Sequence, residues 1–195
     1  MATAPMTTDL VRLTARAVDL SALAFVTVAG ALTIVAVGAL DRAAVGPTAQ
    51  ACGGALAAAA ALALRDPARE LLDAVPMSPR LRLLQRSAVI VPSTLLAALL
   101  LGVLAQRSVG GSSFVVSGVE SVLALVGVGI AATACCARRW PDAAPGAGAA
   151  VALGWSTAST FLPATGGWFW SAWTTHPWIV IVTTAALTWL ASTDR

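Results

Sequence analysis

Side chains able to do chemistry are scarce in this 195-residue chain. It has one histidine, His176, and three cysteines, Cys52, Cys135 and Cys136, whose spacing suits neither a metal site nor a disulfide framework. Gly154-Trp155-Ser156-Thr157, followed by His176, supplies a hydroxyl nucleophile and a base, the pair an intramembrane protease would need. His176 falls in a loop beside Pro177, however, and there is no second histidine to take its place, so the spacing argues against cleavage chemistry. Gly127-Val128-Gly129-Ile130-Ala131-Ala132 imitates a dinucleotide-binding turn, but it lies inside an apolar run with no strand before it, and close helix packing explains it better. All twelve basic residues are arginines. Without a lysine to reach nucleotide phosphates the chain cannot carry a Walker A loop, so any ATP chemistry belongs to another chain.

What remains is a set of polar side chains embedded in apolar sequence. Glu120, Gln50, Ser156, Thr157 and Thr160 are the candidates for lining a mildly polar pathway, with Thr48 and Ser159 beside them. Such residues are costly in hydrocarbon and should face protein, a cavity or an interface. Their commoner use is hydrogen bonding from helix to helix. Glu120 is expected near the outer end of its span, where a carboxylate costs far less than at mid-membrane.

The elements that must position these residues follow from composition. Hydrophobic residues make up 58% of the chain and charged ones 11%, with a mean hydropathy of +0.83. Those values exclude an ordinary water-soluble core and make a bilayer the natural solvent. A span needs about 20 apolar residues to cross roughly 30 Å of hydrocarbon. Six segments approach that length, at about 20–40, 43–64, 87–105, 113–137, 143–162 and 178–191. The expected fold is therefore all-α, a single polytopic membrane domain of six transmembrane helices. The first run exceeds a signal-peptide core of about 7 to 15 residues and is expected to be retained. Before it, Asp9, Arg12, Arg16 and Asp19 share one helical face opposite Leu10, Leu13 and Ala17, which predicts an interfacial helix over 8–19.

Orientation follows from the arginines. In the six-span arrangement Arg12, Arg16, Arg65, Arg69, Arg80, Arg82, Arg86, Arg138, Arg139 and Arg195 lie on one side, and Arg42 and Arg107 on the other. The positive-inside rule then puts both termini in the cytoplasm of a protein of the plasma (inner) membrane. The segment 163–177, with Trp168, Trp170 and Trp173, becomes an extracytoplasmic hairpin. Its tryptophans suit either a re-entrant element or an aromatic belt at the headgroups.

The longest charged stretch, 65–86, is expected to be a cytoplasmic loop. Asp66-Pro67 and Ser78-Pro79 are both good helix starts. Between them Leu71, Leu72 and Val75 share a face, while Arg69, Glu70 and Asp73 supply charge, a pattern suited to docking in a groove of a soluble partner. The run Glu70-Leu71-Leu72-Asp73-Ala74-Val75-Pro76-Met77-Ser78-Pro79-Arg80 resembles the cytoplasmic loop of the type-two ABC exporter permeases. The overall layout is also similar to theirs, although this chain is small, with little extracytoplasmic structure. The resemblance implies that Arg69, Glu70, Leu71, Leu72, Asp73 and Val75 form a coupling helix seated in a separate ABC ATPase subunit, which would bind the ATP and Mg. It also implies a second permease copy or a related permease, and export of a hydrophobic or amphipathic substrate from membrane lipid, with no nucleic-acid partner. A noncatalytic membrane scaffold that docks a different partner through the same loop is the alternative.

Overall fold

The computed structural model describes residues 19–65, 79–109, 114–137, 139–161 and 176–192. Among them there are six α-helices and no strand. They are α1 (Ser21–Leu40), α2 (Val45–Leu62), α3 (Pro79–Val109), α4 (Phe114–Ala137), α5 (Ala144–Phe161) and α6 (Pro177–Ser192). Helices are the expected answer for such a sequence, because a chain in hydrocarbon must satisfy its backbone hydrogen bonds within each segment. Among the described residues, four stretches are long and apolar enough to cross a membrane: Ser21–Leu40, Arg42–Leu62, Leu83–Val109 and Gly118–Ala137. The protein is a helical membrane protein. α5 and α6 are not among those four; α5 is rich in glycine, alanine, serine and threonine, and α6 has only 16 residues. Residues 8–18 of the predicted interfacial helix 8–19 and residues 163–175 of the predicted hairpin 163–177 lie outside the described residues, and Pro177 is the first residue of α6.

Helix ends follow local chemistry. Asp19 accepts a hydrogen bond from the Ser21 amide at 2.9 Å, satisfying one of the free donors at the start of α1. Hydrogen bonds from the Ser21 side chain and amide hold the Asp19 carboxyl below the usual carboxylate range. The contribution of this cap is therefore present above the unfolded pKa and is lost as pH falls through the lowered folded value. Asp41 makes the sharp return to α2: its carboxylate accepts from the Ala43 amide at 2.9 Å over a 3-10 turn, Arg42–Ala44. Pro79 and Pro177 occupy first helical positions, where a missing N–H costs nothing.

The third helix departs from its expected limits. Residues 79–86, assigned from their charges to the loop 65–86, are helical and continuous with the span, giving a helix of 31 residues. Arginine, leucine and glutamine are good helix formers, so the charges mark where apolar sequence starts without ending the helix. Pro92 lies inside α3 and removes a backbone donor there. Beside it, Ser93 and Thr94 donate their hydroxyls to the carbonyls of Val89 and Ile90, each at 2.8 Å.

α2 and α4 are the centre of the bundle. α2 packs against α1, α3, α4 and α5, and α4 packs against α2, α3, α5 and α6. The alanine run of α2 is sealed, Ala57 and Ala60 being fully inaccessible, whereas α1 turns Phe25, Val28 and Leu32 outward. Side-chain pairings fix relative directions. Gly30 faces Cys52 and Gly38 faces Val45, so α1 and α2 are antiparallel. Gly30 with Leu101 and Gly38 with Ser108 make α1 and α3 parallel. Gly53 with Val122 and Ala61 with Gly129 make α2 and α4 parallel, while Gly129 meets Gly148 and Ala152 of an antiparallel α5. This alternation sorts the described arginines: Arg65, Arg86 and Arg139 stand at one end of the bundle, Arg42 and Arg107 at the other.

Close approach requires glycine at Gly148. A Cβ there would lie 2.6 Å from the carbonyl oxygen of Gly129 and would also overlap the Thr133 hydroxyl. Gly154, two turns along the same helix, has open space where its Cβ would be. Gly148→Ala is therefore expected to destabilise the protein by about 1–3 kcal/mol, the usual cost of overpacking. Gly154→Ala should be neutral or mildly stabilising. Thermal unfolding of the two variants in detergent distinguishes a real α4–α5 contact, since equal behaviour would contradict it.

Candidate functional site

Two places hold polar groups between helices. The first lies between the start of α2 and the end of α5. Gln50 donates from Nε2 to Ser159 Oγ at 3.2 Å, and Ser159 donates in turn to the Ser156 carbonyl at 2.8 Å. Ser156 Oγ is 3.4 Å from the Gln50 carbonyl, which accepts its hydrogen bond. Ser156 and Ser159 are buried, and Gln50 keeps an exposed edge. The geometry follows from Gly54, whose missing side chain leaves room for Ser156 Cβ and Oγ against the α2 backbone. Small residues let two helices come close enough for short side chains to bond across them.

Of the expected pathway residues, the structure thus brings Gln50, Ser156 and Ser159 together. Thr157 points elsewhere: it is exposed and donates to the Leu153 carbonyl of its own helix at 2.8 Å. Glu120 is exposed on the early part of α4. Thr160 lies on α5 one residue beyond Ser159. Thr48 donates to the Ala44 carbonyl at 2.7 Å. Most described hydroxyls do the same with a carbonyl four residues back, including Thr27, Thr133 and Thr188, so these polar residues present little free hydrogen-bonding capacity. The α2–α5 group works as a lock between helices. His176 stands exposed just before α6, its ring meeting that of Trp178 edge-on at 6.2 Å. Ser156 faces the backbone of α2.

The second place lies at the arginine-rich end, where α2 stops and α3 begins. The exit of α2 tightens: the amides of Ala63, Leu64 and Arg65 return to the carbonyls of Ala59, Ala61 and Leu62. The carbonyls of Leu64 and Arg65 accept from a single guanidinium nitrogen of Arg86, at 3.2 Å and 2.5 Å. Arg86 is only 7% exposed, and Leu64, Leu83 and Ile90 belong to the apolar cluster around it. A cation here opposes the negative end of the α2 dipole as well as supplying donors. Read as sequence, Arg86 was one more charge on the arginine-rich side. Its position immediately before the uncharged run beginning at Ser87 was the signal that it could reach into the bundle. Nearby, between α4 and α5, the Arg139 guanidinium lies 5.5 Å from the ring centre of Trp140, a cation–π contact at an exposed, membrane-interface position.

The six residues expected to form the coupling helix, Arg69, Glu70, Leu71, Leu72, Asp73 and Val75, lie outside the described residues. Among the described residues no group of three or more His, Cys, Asp or Glu side chains could hold a metal ion. No family model, curated protein or solved structure matches this chain.

The α2–α5 lock gives a direct test. In a double-mutant cycle of Gln50→Ala and Ser159→Ala, the coupling energy should be about 0.6 kcal/mol and no more than about 1.7 kcal/mol, the range for hydrogen bonds between membrane helices. Unfolding in lipid-detergent mixtures measures it. Strict additivity of the two substitutions would show that the bond contributes nothing.

Proposed function

We propose that this chain is the membrane-spanning permease subunit of an ABC-type exporter, coupling ATP hydrolysis on a separate ATPase subunit to export of a hydrophobic or amphipathic substrate. In this reading all six helices span the membrane, both termini are cytoplasmic, and two permeases form the pathway. The observation that carries it is the run Glu70-Leu71-Leu72 followed by Ser78-Pro79-Arg80, which in the sequence lies between the end of α2 and the start of α3. Arginine enrichment marks the cytoplasmic face, where an ATPase would dock. The lack of lysine assigns the nucleotide to the partner. The short α5 and α6 suit spans buried against other protein, and a second permease copy would supply more of that protein. Hydroxyls bonded within the bundle and apolar outward faces suit a cargo that travels with lipid rather than in water.

Co-purification with candidate ATPases from detergent tests the proposal. Wild-type protein should retain an ATPase, and Leu71→Asp/Leu72→Asp should lose it while remaining folded, because two carboxylates would be driven into an apolar groove. If no ATPase accompanies the wild type, the exporter reading gives way to a membrane scaffold.

A further inference from the structure

We infer that Arg86 is a positioning residue that joins the exit of α2 and the start of α3 into one rigid bracket, so that a load applied to the segment between them turns both helices together. The bracket is read from the structure; the load it would carry rests on the exporter reading.

Two helices joined by a segment of many residues can ordinarily splay apart at that end. Here the two limbs are the exit of α2 at Arg65 and the start of α3 at Pro79. A hydrogen bond from Arg86 on one limb reaches Leu64 on the other, and another reaches Arg65. The side chain reaches across from two turns inside α3, so it ties the limbs at a point already packed. The joint is closed by apolar contact too: Ile90 is fully inaccessible, and Ala63 and Leu64 are 6% and 7% exposed. Each hydrogen bond links a charged donor to a carbonyl near the α2 terminus, which is stronger than a neutral pair and directional. Replacing the guanidinium removes both bonds and leaves the Leu64 carbonyl in a buried setting, while that of Arg65 lies nearer the surface.

The bracket differs from an ordinary helix cap in what it connects. A cap drawn from its own helix would leave α2 and α3 free to move independently. Arg86 belongs to the neighbouring helix, so α2 cannot tilt at this end without carrying α3 with it. Because α2 also packs on α4 and α5, a displacement entering at the bracket reaches the centre of the bundle directly. Such transmission by rigid-body movement is how a local contact becomes a change of the whole bundle.

The test uses full-length protein with Cys52, Cys135 and Cys136 replaced by alanine, held in lipid nanodiscs. Nitroxide labels are placed at Leu62→Cys and Leu84→Cys, both at outward-facing positions flanking the joint. Dipolar broadening between the labels should report one narrow separation in the otherwise wild-type protein. Arg86→Met should replace it with a broad distribution at unchanged helical content, and Arg86→Lys, which keeps a cation and donors, should restore part of the narrow component. If Arg86→Met is too unstable to recover, the lysine variant alone decides, since a wild-type distribution would contradict the need for two directed bonds. An unchanged distribution in Arg86→Met overturns the inference. A second arm adds the co-purifying ATPase. Arg86→Met should still bind it but lose the permease's effect on its ATP turnover, which loss of a purely local cap would not produce. Retained coupling with a broadened joint would overturn the transmission role. Failure of any ATPase to bind the wild type would leave the label result standing and withdraw the exporter reading instead.

Discussion

The bundle depends on how closely its helices can approach one another. In a lipid environment there is no water to expel between apolar helices, so association relies on packing and on short hydrogen bonds. This chain meets that constraint with very small residues. α2 contributes Gly53, Gly54 and its alanine run, α4 contributes Gly129, and α5 contributes Gly148 and Ala152. At Gly148 the backbone of α4 takes the room a methyl would need. The Gln50, Ser156 and Ser159 bonds exist because the same close approach brings α2 and α5 within reach of short side chains.

The helical segments were legible in the sequence because apolar length is a strong local signal. Asp41 and Arg42 announced a tight return, and Ser78-Pro79 announced a helix start. Less legible was anything depending on which helix meets which. Gln50 and Ser159 are 109 residues apart, and nothing local to either names the other. The continuity of α3 from Pro79 into the span was hidden for a different reason: arginines 80, 82 and 86 signal the edge of the membrane, whereas helix propensity continues through them. Arg86 shows the same ambiguity in one side chain, a charge that faces inward to the backbone of α2.

The polar residues in the apolar runs also divide according to geometry invisible in the sequence. Thr48 and Thr157 return their protons to the preceding turn, which makes them compatible with an apolar surface. Ser156 and Ser159 instead sit where two helices meet. A sequence pattern gives both groups the same weight as pathway candidates. Separating them requires the helix rotations that only packing determines.

The outward face of α1 gives this chain a way to register bilayer thickness. Phe25 is 75% exposed and Leu32 67% exposed on a helix of 20 residues, a length of about 30 Å that closely matches a typical hydrocarbon core. In a thicker or thinner membrane the mismatch is relieved by tilting or by deforming the lipid. The Asp41 turn leaves almost no slack between α1 and α2, so a tilt of the first helix is handed to the alanine-lined centre of the bundle.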